Sequence, residues 1–326
     1  MLKMEGIMKI TEKLTHGRSI SIEIIPPKRG DDCSAIFSML DRFVNFQLLF
    51  VSVTKHLKRE ILVPYKNKFL TLKNTNRPGT VGLTQAIMTK YNIDVVPHII
   101  IGNQSVEDVE DMLIDLAFCG IENIFIVRGD LADYEKKSTA NHSFYYHSSE
   151  AVQRVRMLNK GQYISVKNGK PIDFCIGVAG YPEKHYEALN QYDDLLNLKK
   201  KVDAGADYII TQMVFDPVIF KKFVLKARKV GINVPIIPGI KPITNIKSLF
   251  SIPKNFFVTI PHSFTEKIMS AKTTEKQKNI GINYTIELIE SLYDQGVPAV
   301  HLFTTNMGED IYQIMKELSS IVSAKI

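Results

Sequence analysis

Short runs of Val, Ile and other apolar residues recur along the chain, each followed by a longer segment with helical spacing of apolar positions. The runs predict strands over Ser19–Ile25, Leu48–Thr54, Asp94–Ile101, Asn123–Arg128, Asp173–Gly180, Tyr208–Phe215, Val234–Ile240 and Ala299–Asn306. Helices are predicted over Ser105–Phe118, Ser149–Asn159, Asp193–Ala204, Pro217–Val230 and Glu275–Tyr293. Strands rich in β-branched residues that alternate with helices form parallel sheets covered on the outer face. Eight such units indicate an α/β fold closed as a (β/α)8 TIM barrel. Gly120, Gly205, Gly231 and Gly296 each follow a helical segment, where a left-handed helix stop favours glycine. An open doubly wound sheet would carry a glycine-rich first turn, and neither G-x-G-x-x-G nor G-x-x-x-x-G-K-[ST] occurs. The expected organisation is one catalytic barrel domain over 1–326, with its core at about 19–323. The segment Lys254–Lys278 fits either a lid or an extra helix.

Composition narrows the classes. With 326 residues and 45% apolar content, the chain can bury a large core. No stretch approaches the roughly 18–20 apolar residues that span a bilayer, and no apolar signal core follows a basic start. A cytoplasmic protein without a membrane partner is expected. Cys33, Cys119 and Cys175 lie far apart with no CxxC pair, so they read as small hydrophobes in a reducing compartment, and no metal site is expected. The net charge of +7 comes from lysines spread along the whole chain. No basic tract is interleaved with aromatics, so nucleic acid is not an expected partner.

Barrels of this class carry their chemistry at the C-terminal strand ends. In the first strand Ile20, Ile22 and Ile24 share one face, and Ser19, Ser21 and Glu23 the other. The outer face must be apolar, so Glu23 points inward near the rim. Partial desolvation there favours the neutral form of a carboxyl and suits general-acid work; a structural ion pair is the competing reading. Strand two ends in Thr54, and strand three carries His98, which in an apolar run is by itself more often a core residue than a ligand. Strand four ends in Arg128-Gly129-Asp130, a cation and an anion separated by a residue that lets backbone approach a ligand. A salt-bridged turn is the alternative. After strand five come Tyr181 and His185, and then Asp194, Asn197 and Lys201 on one helix face, suited to a ribityl chain and a phosphate, or simply to solvent. Gln212 and Phe303 stand at the ends of strands six and eight.

These blocks resemble the methylenetetrahydrofolate reductase family. The match runs from about Ser19 to Asn306 through Ser21-Ile22-Glu23, Phe50-Val51-Ser52-Val53-Thr54, Pro97-His98, Arg128-Gly129-Asp130, the run from Gly177 to His185, the run from Asn197 to Asp207, Thr211-Gln212, and Ile236-Ile237-Pro238-Gly239-Ile240. The resemblance implies a barrel that binds FAD, takes reducing equivalents from NAD(P)H and converts 5,10-methylenetetrahydrofolate to 5-methyltetrahydrofolate, supplying methyl groups for methionine synthesis. It makes Glu23 the general acid, and Asp130 the carboxylate that tunes the flavin and steadies the iminium cation. Thr54, His98, Arg128, Gly129, Tyr146, His147, Tyr181, His185, Asp194, Asn197, Lys200 and Lys201 match flavin-contacting positions, and Gln212 and Phe303 substrate-contacting ones. A homo-oligomer is implied as well. The chain departs from the family at Lys55-His56-Leu57, at His147 in place of a small residue, at Phe303 in place of Tyr, and at Met307 where many members have Arg. Two rival readings remain: a folate-binding barrel that transfers a methyl group without flavin, and a non-catalytic flavin- or folate-binding protein. Reduced ferredoxin stays open as an alternative donor.

Overall fold

A computed structural model describes residues 8–55, 59–66, 68–74, 77, 79–102, 104–129, 144–304, 308–319 and 322. Its strands are β1 (Ser19–Ile24), β2 (Leu48–Val53), β3 (Arg59–Tyr65), β4 (Lys68–Asn74), β5 (Val95–Ile100), β6 (Asn123–Val127), β7 (Cys175–Gly180), β8 (Tyr208–Met213), β9 (Ile236–Ile240) and β10 (Ala299–Phe303). Eight of them close a barrel in the order β1-β10-β9-β8-β7-β6-β5-β2, all neighbours parallel. The (β/α)8 expectation holds. Each of the eight barrel strands falls inside its predicted run and is shorter by one or more residues.

Period-two alternation sorts the side chains as the sequence pattern required. Ile20, Ile22 and Ile24 of β1 join the large outer core shared with the helices. A second cluster fills the barrel interior with Phe50, Val96, Phe125, Cys175, Tyr208 and Ile237. Burial of each large side chain there contributes roughly 1.5–3 kcal/mol. The short helix α1 (Ile10–Lys13) closes the N-terminal end of the barrel by seating Ile10 in that cluster. Asn123 secures the plug: its Oδ1 accepts from the Ile10 amide at 3.0 Å, and its Nδ2 donates to the Asp94 carboxylate at 3.2 Å. Lys13 forms an ion pair with the same buried Asp94.

The helices follow their caps. Between β1 and β5 lie α2 (Ser34–Phe43) and α3 (Thr80–Tyr91). Helix α4 (Val106–Phe118) starts on a Ser105–Asp108 capping box, and α5 (Ser148–Leu158) begins after His147. Helix α6 (Gln191–Asp203) is capped by Asn190, and α7 (Pro217–Lys229) by Asp216 with proline in its first turn. The four glycines expected to stop helices all take positive φ, from 77° at Gly120 to 118° at Gly205.

Two regions go beyond the pattern reading. Residues 254–278 resolve into the end of α8 (Ile246–Phe256), α9 (His262–Ser270) and the start of α10 (Thr274–Asp294), whose apolar faces enclose a third cluster around Phe264 and Ile268. Helix α11 (Glu309–Leu318) follows β10. The antiparallel hairpin β3–β4, paired from Arg59↔Asn74 to Tyr65↔Lys68, is inserted after β2 and leaves Leu62 and Phe69 about two-thirds exposed, at 67% and 69%. No described helix is long and apolar enough to cross a membrane.

Candidate active site

Inward alternation on β1 delivers Glu23 to the C-terminal mouth, half-buried, as expected. Its Oε2 lies 3.6 Å from His98 Nε2 on β5 and 3.9 Å from His301 Nε2 on β10. Each histidine is met by a serine hydroxyl from the neighbouring strand: Ser52 Oγ is 2.7 Å from His98 Nε2, and Ser21 Oγ 2.8 Å from His301 Nδ1. Burial pushes the His98 pKa down to about 4, against the opposing pull of Glu23, so the ring is neutral at physiological pH. It packs on Phe125 with centroids 4.9 Å apart. Lys241, just past β9, is also half-buried; desolvation lowers its pKa and the charge of Glu23 partly offsets this. The barrel thus sets one carboxyl beside two imidazoles, with an amine whose titration responds to its charge.

A second group gathers at the ends of β6 and β7 and along α6. Arg128 pairs with Glu187 at 2.6 Å. Gly129 beside it has φ +86°, a turn that an L side chain strains. The His185 ring meets Tyr181 edge-on at 4.6 Å, and the His185 amide donates to the Asp194 carboxylate at 3.1 Å. Lys201 donates to the Ala179 carbonyl at 2.9 Å. Burial, helped by the Arg128 charge and opposed by Asp194, drives the Lys201 pKa down to about 8. One ammonium hydrogen is spent on that carbonyl. A desolvated cation with donors in reserve, beside a guanidinium, fits an anionic group such as a phosphate.

The remaining expected residues are placed as follows. Thr54 donates from its hydroxyl to the Ile24 carbonyl at 3.2 Å, stitching the ends of β1 and β2. Gln212 points into the barrel mouth with its Oε1 accepting from the Met213 amide at 3.0 Å, and it lines a shallow cleft with Tyr181, Lys184 and Phe257. Phe303 sets its ring edge-on to His301 at 5.3 Å. Asn197 and Lys200 are exposed on α6 and bond each other at 3.2 Å. Tyr146 and His147 are exposed before α5, where both amides reach the Glu150 carboxylate at 2.8 and 3.3 Å; among the described residues their contacts run to neither group. The departing Lys55 turns to Gln104 and Met112, at 3.2 and 3.1 Å. Asp130, Asn306 and Met307, with His56 and Leu57, lie outside the described residues.

The sequence pattern gave no role to His301, Ser21, Ser52 or Lys241. His301 sits two residues before Phe303 on an inward face, the same signal that placed Glu23, but a histidine in an apolar run carries no chemistry until its neighbours are known.

Fold and site together define a (β/α)8 barrel with a carboxyl near two histidines at its mouth. The sequence profile described as methylenetetrahydrofolate reductase matches residues 8–319, and the chain belongs to that family. A "Probable methylenetetrahydrofolate reductase (NADH)" of Oryza sativa subsp. japonica is 31% identical over 334 residues, covering 99% of this chain and 52% of that protein. The "5,10-methylenetetrahydrofolate reductase" of Buchnera aphidicola subsp. Schizaphis graminum is 31% identical with 94% of both chains covered, and that of Escherichia coli K12 is 28% identical with 92% and 90% covered. The chain spans about half the length of its plant relatives. Among solved structures, a Clostridium thermocellum protein described as binding two copies of 5-methyl-5,6,7,8-tetrahydrofolic acid superimposes with a TM-score of 0.59 at 17% identity, over 96% of this chain and all of that one; this likeness shows the fold alone.

Proposed function

We propose that the chain reduces 5,10-methylenetetrahydrofolate to 5-methyltetrahydrofolate, using NAD(P)H and bound FAD. The observation that carries the reading is Glu23: a half-buried carboxyl at a barrel mouth, held near two imidazoles, in a chain of this family. FAD, when bound, supplies hydride transfer between the nicotinamide and the one-carbon bridge of the folate. Arg128, Lys201 and His185 hold its phosphates, and Asp194, Asn197 and Lys200 its polar chain, while Thr54, His98, Tyr181, Tyr146 and His147 meet its remaining surfaces. Glu23 hands its proton to the nitrogen that departs from the bridging carbon, leaving a carboxylate on the protein and an iminium cation on the folate. Asp130 offers that cation a negative charge, and Gln212 and Phe303 orient the substrate.

The spectrum of purified protein loaded with FAD tests the reading. Anaerobic NADH or NADPH should bleach the flavin absorbance, and added 5,10-methylenetetrahydrofolate should restore it. Glu23→Gln should keep the bleaching and lose the restoration. A colourless protein that takes up no FAD and still consumes methyltetrahydrofolate would establish methyl transfer instead.

A further inference from the structure

The two imidazoles beside Glu23 are not equivalent. His98 turns one nitrogen, Nε2, to both the Ser52 hydroxyl and Glu23. His301 divides its nitrogens: Nδ1 faces Ser21 at 2.8 Å, and Nε2 faces Glu23 at 3.9 Å. A neutral imidazole carries one N–H, and the bond made at one nitrogen decides which nitrogen holds it. The Ser21 hydroxyl reaches two acceptors, Nδ1 at 2.8 Å and the Val300 carbonyl at 3.3 Å. Donated to the nearer, it leaves the ring hydrogen on Nε2, aimed at the carboxyl. The ring is fixed in that pose. It is 1% exposed, stacked on Phe50 at 5.6 Å, and edged by Phe303 at 5.3 Å.

We infer that His301, its tautomer set by Ser21, is a positioning residue that turns an N–H towards one Glu23 oxygen and stabilises the carboxylate left when the proton departs. The inference rests on Glu23 being the acid. Both imidazoles approach Oε2, which leaves Oε1 to face a substrate. An ionised carboxyl in a desolvated mouth is costly, and an N–H donor opposite it lowers that cost. His301 keeps its own hydrogen throughout; the proton that moves is the one on Glu23, which passes to the substrate nitrogen. Among the described residues, the other titratable groups that act on the carboxyl are His98 on β5, held neutral by burial, and Lys241 after β9.

The test separates the two half-reactions of the FAD-loaded enzyme by rapid mixing: flavin reduction by NAD(P)H, and flavin reoxidation by 5,10-methylenetetrahydrofolate. Ser21→Ala and His301→Asn should slow the folate step about 10- to 100-fold while leaving flavin content and the NAD(P)H step unchanged. The alkaline fall of the folate-step pH profile should move to higher pH, because a carboxylate without its donor holds a proton more tightly. His301→Gln, which returns an N–H near the position of Nε2, should recover part of the rate. In a Glu23→Gln background, Ser21→Ala should cost nothing further. The inference is overturned if Glu23→Gln collapses the folate step while both other variants stay within about two-fold with an unmoved profile. Undiminished turnover in Glu23→Gln overturns the acid assignment itself. Should His301→Asn lose flavin, Ser21→Ala decides.

Discussion

Arg128 at the end of β6 reaches Glu187, beyond the neighbouring strand β7, with 2.6 Å between guanidinium nitrogen and carboxylate oxygen. Burial pulls the Glu187 pKa upward, but the Arg128 bond and charge outweigh it and hold the carboxyl below its ordinary value. The pair pre-sets the fork of the arginine while leaving donors for a ligand. Arg128→Ala should therefore weaken FAD binding by about 10-fold or more. Fluorescence titration of the apoprotein reads this directly. The contribution of Glu187 to stability is present above its unfolded pKa and fades as pH falls through the lower folded value, a dependence the Arg128 variant should lack.

Lys201 gives a pH dependence of the opposite kind. Its folded pKa of about 8 lies below the ordinary 10.5, so the unfolded chain binds more protons between those values. Stability of the flavin-free protein should consequently rise with pH across that window. Below about pH 8 the ammonium is charged and its desolvation cost is fully present. An anionic ligand relieves that cost, so FAD affinity should decline as pH rises past 8. Lys201→Met should flatten both trends. Equal affinity at pH 7 and 9.5 in both proteins would remove Lys201 from the flavin site.

What the sequence disclosed, and what it hid, divides along physical lines. The barrel was legible because eight buried strands must be apolar outside and each helix must stop before the next strand; Gly120 and Gly205 marked those stops. Glu23 was legible because Ile20, Ile22 and Ile24 left it only the inner face. The hairpin β3–β4 was not, although Leu-Val-Pro-Tyr and Phe-Leu-Thr-Leu flank Lys66-Asn67-Lys68. Its Leu62, Tyr65, Phe69, Leu70 and Leu72 are exposed, so no core pattern announced it. The Arg128–Glu187 and Ser21–His301 pairs join residues 59 and 280 positions apart, and such partnerships exist only once the barrel has closed.

Beneath the mouth, the packing of Gly177 against Tyr208 predicts a sensitive spot. A Cβ at Gly177 would stand 2.3 Å from the Tyr208 ring, which is fully buried in the barrel interior. Neighbours in a filled barrel cannot step aside. Gly177→Ala should cost about 1–3 kcal/mol in chemical denaturation. Gly177→Ala combined with Tyr208→Phe should not recover it, because the ring carbons lie nearer than the hydroxyl oxygen, which stands at 2.6 Å.

At the opposite end of the barrel, Lys13 neutralises Asp94, whose side chain is 1% exposed. Burial raises the Asp94 pKa above its ordinary value, and the Lys13 charge and hydrogen bond only partly restrain it. Replacing Lys13 with Met leaves the carboxylate uncompensated and should destabilise the protein by about 3 kcal/mol near neutral pH. Because the folded pKa is the raised one, the penalty belongs to the ionised form and is relieved as pH falls through that value. The variant should therefore lose less relative to wild type at pH 5 than at pH 7 in urea denaturation. Asp94→Asn in the same background should restore much of the deficit, since the amide keeps a polar partner for Asn123 without a charge. An equal deficit at both pH values would mean that Lys13 stabilises α1 by packing its aliphatic stem and not by its charge.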